Sequence, residues 1–148
     1  MYSTRARALP TQNMKAWLFQ SVPEHFDLRS GLVEGTRDSW KVSRYRSEIA
    51  PGDVVFFWMG GPPESRGLYG WGNITSLPRF DAEDNRFGVD VVYKRRFSRH
   101  VPFTKFRDSS NLSKSLILRA PFGTNFAISE EEAKAIVDLL PPGERPVF

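Results

Sequence analysis

Hydrophobic residues recur along this chain in short runs and alternations, a pattern typical of β-strands. Residues 54–59 are apolar without a gap and rich in β-forming side chains, which predicts a buried central strand. Residues 86–97 alternate between apolar and polar positions and predict a further strand. Residues 15–20 predict a first strand, and residues 66–76 predict one that returns after a loop rich in glycine and proline.

The returning strand contains two glycines. Gly70 and Gly72 have the same parity, so we expect them on one face together with Leu68, with Tyr69 on the other face. Glycine inside a strand usually marks a bulge, or a place where a ligand or another backbone comes close. The sequence therefore predicts an irregular strand here.

A helix is predicted near the C-terminal end. Ser129 followed three residues later by Glu132 is a capping box, and acidic residues suit the positive end of a helix dipole. Apolar residues follow at helical spacing, and the helix is expected to end at Pro141. Those glutamates are explained by helix formation and are not candidates for catalysis.

These elements predict an α+β domain with five to six mostly antiparallel strands and flanking helices, in a strongly curved sheet or open barrel. The chain has 148 residues, of which 40% are hydrophobic and 26% charged, enough for one core. Residues 1–13 lack hydrophobic periodicity and are expected to form a loose N-terminal arm, with residues 14–148 as a single domain. No apolar run reaches the ~18 residues of a membrane span, so no membrane partner is expected.

The chemistry available to the chain is restricted. There is no cysteine, which excludes disulfides, thiolate catalysis and cysteine zinc sites and suits a cytoplasmic protein. His25 and His100 are far apart in sequence, and neither has a carboxylate at metal-ligand spacing, so no metal site is predicted. No nucleotide fingerprint or nucleophile motif occurs, and neither a cofactor nor a catalytic residue is expected. The sequence favours binding over catalysis.

The charge is unevenly distributed. The formal net charge is +4, and a basic stretch begins at Lys94, Arg95 and Arg96. Lys41 and Arg44 belong to a second basic cluster. Basic faces favour polyanions, although an ordinary solvated face explains the charge equally well. These five residues are the candidates for contacts to a nucleic-acid backbone.

Five segments in order resemble the EVE domain, a member of the PUA-like group related to the YTH readers of modified RNA. They are residues 17–23 (WLFQSVP), 40–45 (WKVSRY), 49–58 (IAPGD leading to FW), 66–72 (RGLYGWG) and 122–126 (FGTNF) with the capped helix that follows. Together they extend from about residue 17 to residue 140. The resemblance implies a PUA-like pseudobarrel that recognises DNA or RNA carrying a modified base, such as a modified cytosine or adenine.

In related domains that base is turned out of its strand into an aromatic pocket. Carried over by position, the implied base-binding residues are Trp17, Gln20, Ser21, Trp40, Trp58, Gly67 and Tyr69. This chain departs from many relatives at Val22, where they have an asparagine. Valine neither donates nor accepts a hydrogen bond, which argues against a base contact at that position.

Two other functions are compatible with the sequence. Some PUA-like domains are thought to act as ribonucleases, and Lys41, Tyr45 and Arg46 could stabilise a phosphorane without a metal. An aromatic pocket could also hold a nucleotide-like metabolite or a cationic ligand.

Overall fold

A computed structural model describes residues 15–148, so the expected arm at residues 1–13 lies outside the described residues. The strands are β1 (Ala16–Ser21), β2 (Arg37–Lys41), β3 (Val54–Met59), β4 (Gly67–Ile74), β5 (Arg79–Asp81), β6 (Arg86–Pro102) and β7 (Asn125–Ile128). The helices are α1 (Leu28–Gly31), α2 (Phe103–Arg107), α3 (Leu116–Arg119) and α4 (Glu130–Asp138), and a 3-10 turn follows at Pro142–Glu144.

The strands form one mixed sheet in the order β2-β6-β4-β3-β1-β7, with β5 paired to β6. The pairing of β1 with β3 is parallel, and the other five pairings of the described strands are antiparallel. The expected α+β fold of mostly antiparallel strands is confirmed. The strands number seven because β2, β5 and β7, which the sequence does not predict individually, join the sheet. All three are short, and only Trp40 is buried in β2 and no residue in β5, so none shows a clear alternation.

One side chain brings the two edges of the sheet together. β2 and β7 lie at opposite ends of the strand order, yet Nδ2 of Asn125 in β7 donates to the carbonyl oxygen of Lys41 in β2 at 2.9 Å. Its Oδ1 accepts from the backbone N–H of Ser43 at 2.8 Å. The edges of a sheet can meet in this way only if the sheet curls. The result is the curled, half-barrel sheet expected of a PUA-like pseudobarrel.

The curl gives the sheet an inner and an outer core. The inner core, inside the half-barrel, is rich in aromatic residues: Trp17, Phe19, Trp40, Phe57, Tyr69 and Tyr93, with Leu28 of α1. The outer core lies between the sheet and the later helices and includes Leu18, Phe56, Trp58, Leu68, Phe106, Ile117 and Ile136. β3 feeds both cores because alternate side chains of its gapless apolar run point to opposite faces.

Strand β4 is bulged, as its glycines predict. Its register with β6 shifts between Leu68 and Gly70. Leu68 faces the outer core, and Tyr69 faces the inner core. A Cβ on Gly70 would meet the inner-core side chain of Leu32, so this glycine shares a face with Tyr69. The expectation that Gly70 lies beside Leu68 and opposite Tyr69 is therefore wrong, because the extra residue of a bulge reverses the alternation.

The predicted helix is confirmed as α4 with its capping box. The hydroxyl of Ser129 accepts from the backbone N–H of Glu132 at 3.1 Å, and Oε1 of Glu132 accepts from the backbone N–H of Ser129 at 2.9 Å. Ala133 and Ile136 bury the apolar face of the helix in the outer core. Among residues 15–148, no helix is long and apolar enough to cross a membrane.

Candidate nucleic-acid interface

A surface cavity of about 230 Å³ lies between the edge strand β2 and the short β5–β6 hairpin. Its lining consists of Ser39, Trp40, Lys41, Arg79, Phe80, Asp81, Ala82, Asp84, Arg86 and Gly88. Pockets for drug-sized ligands measure roughly 300–1,000 Å³. This cavity therefore suits a smaller, single ring system such as a nucleobase.

Phe80 supplies an exposed aromatic ring at the cavity. It stands directly opposite Phe87 in the β5–β6 ladder, and the two rings meet edge to face with centroids 5.4 Å apart. The guanidinium of Arg46 lies 4.1 Å from the centroid of Phe87. Phe87 is thus half-buried between neighbours, whereas Phe80 stays 53% exposed. An exposed ring held in place by a second ring is suited to stacking on a base.

The cavity offers both hydrogen-bond donors and acceptors. Nη2 of Arg79 donates to Oδ2 of Asp90 at 2.8 Å, which fixes the guanidinium beside β6. Oδ1 of Asp81 accepts from the backbone N–H of Glu83 at 2.9 Å, and Asp84 is exposed in the same turn. Carboxylates accept hydrogen bonds from the exocyclic amino group of cytosine, and arginine donates to ring nitrogens and carbonyl oxygens. The side chains that line the cavity can therefore form hydrogen bonds with a base edge that carries both donors and acceptors.

Trp40 borders this cavity, but its indole lies in the inner core and is only 7% exposed. The rings around it belong to Phe19, Phe26 and Phe57, with centroids 5.9, 5.8 and 5.3 Å away. Its Nε1 donates to the hydroxyl of Tyr93 at 3.0 Å, and that hydroxyl donates to Asp38 at 2.7 Å. Burial raises the pKa of Tyr93, and the bond to Asp38 raises it further. The indole N–H of Trp40 is thus already hydrogen-bonded, and the indole ring is packed among phenylalanine rings.

A pocket shared by Trp40 and Trp58, as expected from the sequence, is not formed. Trp58 is 1% exposed and lies in the outer core, with its ring 4.9 Å from that of Phe106 in α2. The two indoles point to opposite faces of the sheet because Trp58 follows the alternation of β3. Gly67 is also buried; its φ of 154° lets the backbone pass close to the carbonyl of Val101, where a Cβ would collide.

Trp17 and Tyr69 share the inner core with Trp40, and their polar atoms already have partners. Nε1 of Trp17 donates to Oδ2 of Asp53 at 2.9 Å. The hydroxyl of Tyr69 donates to the carbonyl of Ser65, and its ring stacks on His100 with centroids 4.8 Å apart and planes 6° from parallel. Burial raises the pKa of Tyr69 and lowers the pKa of His100.

Gln20 and Ser21 lie at the end of β1, as predicted, and both are tied to the backbone. Nε2 of Gln20 donates to the carbonyl oxygens of Pro121 at 3.2 Å and Gly123 at 2.9 Å. The hydroxyl of Ser21 donates to the carbonyl of Phe26 at 2.9 Å. The amide of Gln20 thus has no N–H left for a base, and its role in this structure is to hold the loop before β7.

The predicted basic residues divide into two groups. Lys41 is exposed at the cavity, Arg44 is exposed three residues further along the chain, and neither forms a salt bridge with a described residue; Lys94 is likewise exposed. Arg95, by contrast, lies between two carboxylates, 3.9 Å from Glu34 and 3.8 Å from Glu144.

Arg96 is partly engaged as well. Its Nη1 donates to the carbonyl of Leu32 at 3.2 Å, and its backbone N–H donates to Glu34 at 2.9 Å. The two basic clusters expected from the sequence are therefore not equivalent. Among the described residues, the unpaired charge at the cavity comes from Lys41 and Arg86, and Arg44 is exposed three residues after Lys41.

Sequence reasoning missed Phe80, Arg79 and Arg86. Phe80 stands between two charged residues in a three-residue strand, where neither periodicity nor a motif marks it. The available indication was an aromatic residue flanked by Arg79 and Asp81 just before a predicted turn. Phe80 lines a cavity only because β2, which is distant in sequence, lies beside the β5–β6 hairpin.

The model of the EVE domain family matches residues 15–139. No curated protein matches the chain. Among solved structures, a hypothetical protein from Leishmania major is similar with a TM-score of 0.69 and 18% identity, over 86% of this chain and 95% of that one. A protein from Pseudomonas putida has a TM-score of 0.68 and 20% identity, over 84% and 98% of the two chains.

Human THYN1 is similar as well, with a TM-score of 0.67 and 17% identity over 84% of this chain and 96% of that one, and its structure is a complex with DNA containing 5-methylcytosine. At these identities the solved structures show the shared fold, and the family model matches most of the chain. This chain belongs to the EVE domain family.

Proposed function

We propose that this protein is a non-catalytic binding module for nucleic acid, DNA or RNA, that carries a modified base. The observation that carries the proposal is a cavity of base size that combines the exposed ring of Phe80 with carboxylate and guanidinium groups. Family membership and the structural likeness to THYN1, solved with 5-methylcytosine DNA, support it and favour a modified cytosine over a modified adenine. A cysteine-free chain suits the cytoplasm as its compartment.

In this proposal the base leaves its strand and stacks on Phe80, with its edge toward Asp81 and Asp84. Extruding a base costs a few kcal/mol, and stacking on an aromatic ring returns roughly 1–3 kcal/mol. Stacking alone therefore does not suffice, and hydrogen bonds to the edge and phosphate contacts from Lys41 and Arg44 must add to it. Trp40 supports the wall of the cavity from inside the half-barrel.

A methyl group on the base changes this balance only modestly. Enclosing one methyl-sized group contributes about 0.8 kcal/mol, which is roughly a fourfold difference in affinity. Larger discrimination requires that the unmodified base leave a polar group unpaired.

The residues of the ribonuclease alternative are engaged in packing. The ring of Tyr45 lies 5.2 Å from that of Trp17, and Arg46 covers Phe87. Only Lys41 of the three borders the cavity. This arrangement supports binding as the function, with no cleavage step.

The experiment is fluorescence anisotropy with short single-stranded and double-stranded oligonucleotides that differ only in one 5-methylcytosine. We expect the methylated strand to bind about fourfold more tightly, by the value of an enclosed methyl group. Phe80→Ala should remove both the preference and most of the affinity. Leu77→Ala is the matched control, since that side chain is 66% exposed three residues away. Equal binding of both strands by the parent, or an unchanged Phe80→Ala variant, would contradict the proposal, as would cleavage of a labelled RNA.

A further inference from the structure

Phe122 is the most exposed aromatic ring in the described part of the chain, at 77%. It lies in the loop before β7, where no apolar neighbour covers it. A phenylalanine in this position loses the free energy that burial would provide, roughly 1.5–3 kcal/mol. A ring kept so exposed is a candidate for contact with a ligand.

The backbone on both sides of Phe122 is fixed. The N–H of Phe122 donates to the carbonyl of Ala120 at 2.7 Å, and the backbone N–H of Gln20 donates to the carbonyl of Thr124 at 2.7 Å. The side chain of Gln20 also donates to the carbonyls on either side of the ring, those of Pro121 and Gly123. Gly123, with a φ of 91°, turns the chain directly afterwards. The loop therefore fixes the backbone position from which the exposed ring of Phe122 projects.

This loop leads into a residue that contacts the segment carrying Lys41, which borders the cavity. Asn125, three residues after Phe122, bonds to the carbonyl of Lys41 and to the N–H of Ser43. Three residues of chain extend at most about 10 Å. The backbone of Phe122 therefore lies at most about 10 Å from that of Asn125, whose side chain reaches the backbone of Lys41 and Ser43. About three stacked nucleotides cover the same length as those three residues.

We propose that Phe122 is a second stacking platform, for a base that neighbours the modified one in the bound strand. The strand would run from the cavity at Phe80 past Lys41 and Arg44 to Phe122, with its phosphates on the basic side chains and an unpaired base on the ring. Alternating cationic and aromatic contacts are the means by which proteins hold a single strand without reading its sequence. This inference rests on the proposed function and adds to it a preference for unpaired flanking nucleotides.

The test compares two ligands, 5-methyl-deoxycytidine monophosphate and a single-stranded oligonucleotide of about eight nucleotides with one 5-methylcytosine, matching a typical site size. Phe122→Ala should weaken the oligonucleotide at least ~5-fold, by the low end of stacking energies, and leave the mononucleotide unchanged. Phe122→Trp should retain the affinity. Phe148→Ala is the matched control, since Phe148 is a partly exposed phenylalanine beside Ala16, at the other end of β1.

The outcomes separate the two proposals. If the parent binds neither ligand, the proposed function fails and the platform fails with it. If the parent binds the oligonucleotide and Phe122→Ala binds it equally well, only the platform is wrong. A loss of affinity that is the same for Phe148→Ala, or the same for the mononucleotide, would also overturn the platform.

Discussion

The amide of Asn125 bonds to the carbonyl of Lys41 at 2.9 Å and thereby links the two edge strands of the sheet. The same amide accepts from the N–H of Ser43, so both polar atoms of a fully buried side chain are satisfied. This one residue closes the seam of the half-barrel and sets the position of the basic segment beside the cavity.

Asn125→Ala should therefore destabilise the fold. The substitution removes both hydrogen bonds of the seam, from the part-buried N–H of Ser43 and to the carbonyl of Lys41, at a cost of about 0.5–1.5 kcal/mol for each bond. The measurement is urea unfolding, with Asn73→Ala as control, because the amide of Asn73 is half-buried and makes only a 3.5 Å bond to Asp53. Similar midpoints for both variants would mean that the seam is held by other contacts.

Trp58 should contribute to the stability of the protein and not to binding, in contrast to Phe80. Trp58→Ala removes a fully buried ring from the outer core and should reduce the free energy of unfolding by about 3–5 kcal/mol. Trp58→Phe should lose less stability and bind modified oligonucleotide as the parent does. A Trp58→Phe variant that is stable but binds weakly would show that this ring contributes to the site after all.

The stability of the protein should fall at alkaline pH because of Tyr93. Burial raises the pKa of this hydroxyl in the folded state above its ordinary value of about 10, so the unfolded chain ionises first. Its contribution is complete below about pH 10 and is lost as the pH rises from there toward the folded pKa. The measurement is the slope of unfolding free energy against pH in the alkaline range.

Tyr93→Phe is the control for that slope. It should be less stable at neutral pH, because Nε1 of Trp40 loses its acceptor, but it should lose less further stability as the pH rises. Equal slopes for the two proteins would assign the alkaline loss to other groups.

Lys41 and Arg95 should differ although both are basic. Lys41→Ala should weaken modified and unmodified strands alike and reduce the salt slope of binding by about 1, as expected for one lost phosphate contact. Arg95→Ala should mainly lower stability, since it leaves the carboxylate of Glu144 buried without its ion pair. Titrations of salt and urea on both variants measure these effects. A larger salt effect from Arg95 than from Lys41 would reverse the assignment.

The sequence predicts those parts of the fold whose pattern is local. The capping box at Ser129 and the gapless apolar run of β3 each specify an element without help from the rest of the chain. A gapless apolar run, however, does not indicate which face of the sheet each ring occupies. The sequence therefore predicts Trp58 in an aromatic pocket, whereas its ring lies in the outer core. The seam depends on an asparagine 84 residues away from its partner, and no periodicity records that contact.

The cavity is harder to predict for the same reason. Phe80 gains its role from β2, a neighbouring strand that is distant in sequence, and from the ring of Phe87, which Arg46 covers. The sequence predicts Lys41, Arg44 and Arg95 alike as basic contact residues, and the pairing of Arg95 with Glu144 depends on the folded C-terminal turn.

The bulge at residues 68–70 has a consequence for the evolution of this domain. Removing one residue there would restore strict alternation along β4 and turn the ring that stacks on His100 toward the helices. Lengths in the exposed turns can drift among relatives, but the length of this segment is constrained. Any alignment that places a gap within residues 68–70 would assign inner-core residues to the outer face of the sheet.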